Sequence, residues 1–222
     1  MATRGLALRD STVQLRTLNR RPGQKDNSEW LRKVKIRAHI ARDLQRSNVY
    51  LAGCGFGQMF RNVWREKAQY TLALDTNPVK VREFKHHFSH VDVRCADIGT
   101  FVDWPRGIKF QIADFDAFGN PYPAMRAFFQ NQIWADPVVI VVGDASLLSF
   151  KRGGRLPSDL WQRGHEGQYR GLRDAGTYME FFVWPWWRRL ARRHGLAIDE
   201  RVTAFNRGKT VAYYGIRFSS AL

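Results

Sequence analysis

The stretch Val49-Tyr-Leu-Ala-Gly-Cys-Gly-Phe-Gly57, read together with Leu72-Ala-Leu-Asp75, limits what this chain can fold into more than any other. A short apolar run ends in alternating glycines, and a second apolar run ends in a carboxylate 18 residues after the last of them. Glycines so spaced let a backbone turn sharply and approach a ligand closely, while the carboxylate can accept hydrogen bonds from a ribose diol. That is the layout of a nucleotide-cofactor pocket at the carboxyl ends of two parallel strands.

The pattern around this pair alternates. Strands are expected at Val49–Ala52, Tyr70–Leu74, Val91–Cys95, Ile108–Phe115 and Pro137–Val142, with helices at Gln58–Lys67, from Pro78 to about His87, and at Tyr122–Trp134. Alternating strands and helices with wholly apolar strands imply a parallel sheet covered on both faces. An earlier helix is expected from Ser28, a suitable N-cap, to Leu44. It has an apolar stripe of Trp30, Val34, Ile40 and Leu44, and a positive strip of Arg32, Lys33, Lys35, Arg37 and Arg42. Residues 151–177 read as a long loop rich in Gly and Arg, a kind of connection that is usually functional. A helix over Tyr178–Arg193, interrupted by Pro185, leads into two last strands, Leu196–Asn206 and Thr210–Phe218, around an Asn206-Arg-Gly-Lys209 turn.

The formal charge of +16 is unevenly distributed. Residues 1–50 hold 12 basic and 4 acidic side chains, residues 51–150 hold 10 of each, and residues 151–222 hold 14 and 6. A neutral middle with strongly basic flanks suits neutralisation of a phosphate backbone, so nucleic acid is the expected partner. A solubilising face or an anionic membrane surface is the plainer alternative. No apolar run is long enough to span a bilayer, and the first residues lack an apolar signal core. Two cysteines without a CxxC partner, Cys54 and Cys95, argue for a reducing, cytoplasmic setting and against a zinc knuckle. The six histidines have no metal-ligand spacing, so no metal is expected.

Over roughly residues 47–218 the chain resembles a class I S-adenosylmethionine-dependent methyltransferase. The resemblance implies a Rossmann-like, doubly wound seven-stranded sheet with an antiparallel last strand, which the terminal hairpin suits. It implies one methyltransferase domain over residues 28–222, preceded by a basic arm over residues 1–27. Gly53, Cys54, Gly55 and Gly57 resemble the family's glycine loop under the methionine part of the cofactor. Asp75 stands where the family's acid grips the ribose, and Asp97, in Cys95-Ala-Asp-Ile98, where a residue contacts the adenine amine. Asp114 is placed with this cofactor set. The family often carries an acid two residues before the first glycine. Here that position is Leu51, so the methionine amino group must be met from elsewhere.

The fourth strand ends in Ala113-Asp-Phe-Asp116-Ala-Phe-Gly-Asn-Pro121. A carboxylate, an aromatic ring and a closing proline suit a flat amine: the carboxylate orients the N–H group while the ring stacks on the base. The stretch is similar to the Asp-Pro-Phe/Tyr-Gly-Ser-Pro signature of tRNA guanine-26 N2-dimethyltransferases, and more loosely to the Asp/Asn-Pro-Pro-Tyr motif of amino-group methyltransferases. By that match Asp116 orients the amine, Phe118 stacks, and Gly119, Asn120 and Pro121 shape the pocket floor. Ala117 replaces the family's proline. The plainer reading makes Asp114 and Asp116 ordinary strand-end carboxylates capped by a turn.

Arg152, Arg155, Arg163, Arg170 and Arg173 are the candidate phosphate contacts. The aromatic run Phe181-Phe-Val-Trp-Pro-Trp-Trp-Arg-Arg189 could stack unpaired bases, but packing most of its rings on the sheet is the favoured reading. Asp144 either lines the substrate side or caps the following turn. The expected activity is methyl transfer from S-adenosylmethionine to a nitrogen of an RNA or DNA base. Methylation of a protein or small molecule, or an inactive fold that holds nucleic acid, are the other readings.

Overall fold

Strand β1 (Ser47–Ala52) shows why these segments pair as they do. Tyr50 and Ala52 pack into one apolar layer and Val49 and Leu51 into the other, so the strand is buried on both faces. The same holds for β5 (Trp134–Asp144), where Val138, Ile140 and Val142 face one layer and Val139 and Val141 the other. The computed structural model describes residues 30–116, 119–160 and 174–221. The expected basic arm over residues 1–27 and the Ser28 N-cap lie outside the described residues.

The seven strands are completed by β2 (Ala68–Asp75), β3 (Asp92–Cys95), β4 (Phe110–Phe115), β6 (Leu196–Phe205) and β7 (Ala212–Ser220), in the order β3-β2-β1-β4-β5-β7-β6. Strands β1 to β5 are mutually parallel, and β7 runs antiparallel to both β5 and β6. This is the Rossmann-like, doubly wound sheet with an antiparallel last strand. The β6–β7 turn is closed by Asn206, whose side-chain oxygen accepts from the backbone N–H groups of Thr210 and Val211.

One face is covered by α1 (Trp30–Ile40), a π-helical turn over Phe60–Trp64, and α2 (Pro78–His87). The other is covered by α3 (Tyr122–Gln130), α4 (Ser146–Gly153), and a run formed by α5 (Ala175–Tyr178), a second π segment (Met179–Val183) and α6 (Trp184–Arg193). Among the described residues no helix is long and apolar enough to cross a membrane.

Several boundaries differ from the sequence expectation, each for a local reason. Helix α3 stops at Gln130, because Ile133 and the strand that starts at Trp134 are drawn into the sheet. Residues 151–153 belong to α4, which Gly154 ends in a left-handed conformation, and Ser158–Leu160 form a short 3-10 turn. Pro185 does not interrupt its helix. It sits in the first turn of α6, and the preceding segment widens to π winding, a usual accommodation of a lost donor. Phe182, Trp184, Trp186 and Trp187 are buried against the sheet, while Arg188, Arg189, Arg192 and Arg193 are exposed.

The positive strip of α1 divides in two. Lys33 and Arg37 are buried, and only Arg32, Lys35 and Arg42 are exposed. Polar contacts fasten the C-terminal end of α1 and the residues just beyond it. His39 and Arg42 both pair with Glu200 on β6, and Asp43, just beyond the helix, takes both Arg217 side-chain nitrogens from β7. Gly215 of β7 lets the helix lie close: an added Cβ there would sit 3.0 Å from Ile40. Helix α1 is therefore a fixed wall of the domain.

Candidate active site

Parallel strands deliver their carboxyl ends to one edge of the sheet, which is where open α/β sheets bind ligands. There the chain leaves β1 through Gly53, Gly55 and Gly57, all with positive φ. The Gly53 and Cys54 N–H groups donate to the Leu74 carbonyl, which ties the turn to β2. Gly55 donates to Asp75 Oδ2 at 2.9 Å, and Asn77 N–H donates to Asp75 Oδ1 at 2.9 Å. The two glycines differ in what surrounds them. A side chain at Gly57 would strike the Phe84 ring at 2.8 Å, whereas one at Gly55 would meet nothing within 4 Å. Gly57 serves helix packing, and Gly55 faces open space beside Asp75.

Burial, aided by the Asp75 charge, pushes the Cys54 thiol up to about 12, so it stays protonated at neutral pH. Asp97 follows β3 and is exposed. Its Oδ1 caps a turn by accepting from Gly99 and Thr100 N–H.

The end of β4 carries the densest chemistry of the described residues. Asp114 is buried, and its two oxygens accept from Arg37 Nη2 and Nε at 2.7 Å each; Trp64 Nε1 adds a third bond at 2.8 Å. Burial opposes the Arg37 charge, but the Asp114 and Asp116 carboxylates outweigh it and leave the guanidinium pKa raised. Two residues further on, the same face of the strand presents Asp116. Lys33 Nζ donates to both of its oxygens, at 2.8 and 3.0 Å, and Arg37 Nη2 lies 3.5 Å from Oδ2. The Asp116 side chain is 22% exposed against 7% for Lys33, so part of the carboxylate stays open to solvent while it holds the lysine. Gly143 makes room for it: a Cβ there would come within 2.6 Å of Asp116 Oδ1.

Asp114 also stands directly across from Leu51 in the parallel register. Its carboxylate is buried, with both oxygens taken by Arg37 and one also by Trp64. Sequence reasoning did not single out Lys33, Arg37, Trp64 or Gly143. The available signal was two acids at i, i+2 on β4 and two cations at i, i+4 on α1, both spacings that share a face. Which acid meets which cation depends on how α1 lies across the sheet.

Beyond β4, Phe118 and Ala117 lie outside the described residues. Asn120 Oδ1 accepts from Tyr122 N–H, and Pro121 is buried at the start of α3. Asp144 is fully buried at the end of β5. Its Oδ1 caps the turn at Ser146 N–H, and its Oδ2 accepts from the Tyr122 and Tyr178 hydroxyls at 2.7 Å each. This network ties the start of α3 to β5 and α5.

Burial pushes the Asp144 carboxyl above its ordinary 3.8, against the hydrogen bonds from Tyr178, Tyr122 and Ser146 that favour ionisation. The folded protein therefore holds this proton more tightly than the unfolded chain. The resulting stability is fully present below the ordinary value and is lost as pH rises through the raised one. Asp144→Asn cannot titrate, so the wild-type-minus-variant unfolding free energy should decline as pH rises through that window. Urea titrations at a series of pH values measure it, and a difference independent of pH would contradict this account.

Of the candidate phosphate contacts, Arg152 and Arg155 are exposed at and just beyond the end of α4. Arg163, Arg170 and Arg173 lie outside the described residues. The structure adds neighbours that the sequence does not associate with them. Lys151 Nζ donates to the Gly208 carbonyl at 3.1 Å, which brings α4 against the β6–β7 turn and its exposed Arg207 and Lys209. Asp144 pairs with Ala212 at the start of β7, so this turn shares the sheet edge with the glycine loop and Asp116. Arg32, from the first turn of α1, donates to the Phe205 carbonyl at the same edge.

No protein-family model matches the chain, and no curated protein sequence matches it. Solved structures do. The N-methyltransferase NodS from Bradyrhizobium japonicum WM9, in complex with S-adenosyl-L-homocysteine, superposes with a TM-score of 0.59 at 15% identity, covering 89% of each chain. An rRNA methylase from Streptococcus thermophilus gives 0.52 at 10% identity, covering 84% of this chain and 94% of that one. The cyclase SpnF gives 0.54 at 13% identity, covering 86% and 81%. At such identities the likeness establishes a shared fold, and the presence of a cyclase shows that the fold alone does not name a reaction.

Proposed function

We propose that this protein is an S-adenosylmethionine-dependent N-methyltransferase acting on an amino group or ring nitrogen of a nucleic-acid base. The observation that carries the reading is the convergence of the glycine turn, Asp75 and Asp116 at the carboxyl ends of three adjacent strands, β2, β1 and β4. The residues fit the cofactor. The space over Gly55 opens beside Asp75, whose oxygens each hold one backbone N–H and retain lone pairs for a ribose diol. The backbone at Gly53, Cys54, Gly55 and Gly57 supports the methionine part, and Asp97 Oδ2 is left to meet the adenine amine. Asp114 acts from beneath by holding α1 in place. When bound, the cofactor supplies an electrophilic methyl group on a sulfonium.

Asp116 accepts an N–H bond from the base and turns the nitrogen lone pair toward that methyl group, while Phe118, Asn120 and Pro121 shape the slot for the ring. A base within a duplex must first be flipped out. The cations Lys151, Arg152, Arg155, Arg207 and Lys209 at the same edge support a polyanionic partner. The likeness to structures that include an rRNA methylase is consistent with this reading without deciding it.

The test is incubation with methyl-labelled S-adenosylmethionine and separate pools of tRNA, rRNA and genomic DNA. Label should enter one pool and be lost with Asp116→Ala, while calorimetry shows that this variant still binds the cofactor. No label in any pool despite cofactor binding would transfer the assignment to a protein or small-molecule acceptor. No cofactor binding would refute the enzyme reading.

A further inference from the structure

We propose, building on the function above, that Lys33 and Arg37 make this site select a neutral amine and reject an alkylammonium. The argument rests on charge balance at the end of β4. Asp114 and Asp116 bring two negative charges to one face of the strand, and Lys33 and Arg37 bring two positive charges to meet them at 2.7 to 3.5 Å. The ammonium of Lys33 already occupies the position on Asp116 that a cationic amine would take, with one donor on each carboxylate oxygen. Lys33 is buried, and its Nζ also lies over the Tyr213 ring, 5.3 Å from the centroid, so a cation–π contact helps to hold it beside Asp116.

The chemical consequence concerns the lone pair. An aliphatic amine is protonated at neutral pH, with a pKa of about 10.4 for a lysine-type group. An uncompensated carboxylate would attract that ammonium and stabilise its protonated form, which has no lone pair to alkylate. A carboxylate already neutralised by Lys33 attracts it weakly. Asp116 keeps enough acceptor capacity where it is open to solvent to take one N–H from a neutral heteroaromatic amine, whose lone pair needs no prior deprotonation. Lys33 is a positioning residue in this account, acting through Asp116.

The test uses n-butylammonium as the cationic probe, with binding to the full chain followed by chemical-shift titration. Lys33→Met keeps the side-chain bulk and removes the charge. The variant should bind n-butylammonium at least tenfold more tightly than wild type, and Lys33→Met with Asp116→Asn should abolish the gain. Lys33→Arg, which restores the charge, should bind as weakly as wild type. Equal binding by wild type and Lys33→Met, with both shown folded by circular dichroism, would overturn the proposal. If Lys33→Met does not fold, Lys33→Gln replaces it in the same comparison, with the same expected and overturning results. The readout needs no methyl transfer. The binding pattern without any labelled product would refute the proposed function alone, while labelled nucleic acid with no tightening in the variant would refute the selectivity alone.

Discussion

Arg37→Met should destabilise the folded protein by about 3–5 kcal/mol, the usual cost of breaking a buried ion pair from one side. Arg37 is fully buried and Asp114 nearly so, with two hydrogen bonds of 2.7 Å between them. Methionine fills much of the vacated volume but takes away the Arg37 charge and leaves the Asp114 carboxylate in the apolar layer beside Trp64 Nε1. For an m-value of about 2–3 kcal/mol/M, the urea midpoint should fall by about 1–2.5 M. A double variant, Arg37→Met with Asp114→Leu, should recover part of the loss, because replacing both members of a buried pair is far less costly than orphaning one. Recovery should be incomplete, since Trp64 then loses its acceptor, at about 1–3 kcal/mol. A single variant as stable as wild type would mean that the pair contributes nothing to fastening α1.

Asp75→Ala should weaken cofactor binding by about two to four orders of magnitude. Two hydrogen bonds from a ribose diol to an ionised carboxylate are worth about 1.5–3 kcal/mol each. The carboxylate also organises the site before any ligand arrives, since it accepts from Gly55 N–H above and Asn77 N–H beside it. Asp75→Asn retains one acceptor oxygen and should fall between wild type and the alanine variant. Calorimetric titration with S-adenosylhomocysteine reads the affinities, and unfolding of the ligand-free proteins separates a binding defect from loss of the fold. An alanine variant that binds as tightly as wild type would remove Asp75 from the cofactor site.

The two experiments probe parts of the site that differ in how openly the sequence displays them. The glycine turn and Asp75 are local features: the turn needs positive φ at Gly53, Gly55 and Gly57, and the acid ends a neighbouring apolar run. Neither depends on a distant partner, so spacing alone reveals both. The alternation of apolar strands and helices is similarly local, which is why the parallel sheet was legible in the chain; the antiparallel last strand was implied by the family resemblance and suited by the Asn206–Lys209 turn. The aromatic run before Arg188 was legible for another reason. Most of its rings fall on the side of the helical run opposite its arginines, Phe181 excepted, whatever that run packs against.

What the amino-acid order determined by itself, then, is the sequence of elements, the two apolar faces and the ligand-facing turn, because each follows from backbone geometry and side-chain periodicity over a few residues. Only the tertiary structure decided the electrostatics of the site. Lys33 and Arg37 lie 83 and 77 residues from Asp116 and Asp114 in the chain. In sequence they are two members of the positive strip of α1, with nothing to mark them from Arg32, Lys35 and Arg42. They become buried counter-ions because α1, fastened to Glu200 and Arg217, crosses the sheet so that one of its faces lies over the end of β4. Coulomb interaction depends on distance in space and on exclusion of water, and neither is written in the local pattern.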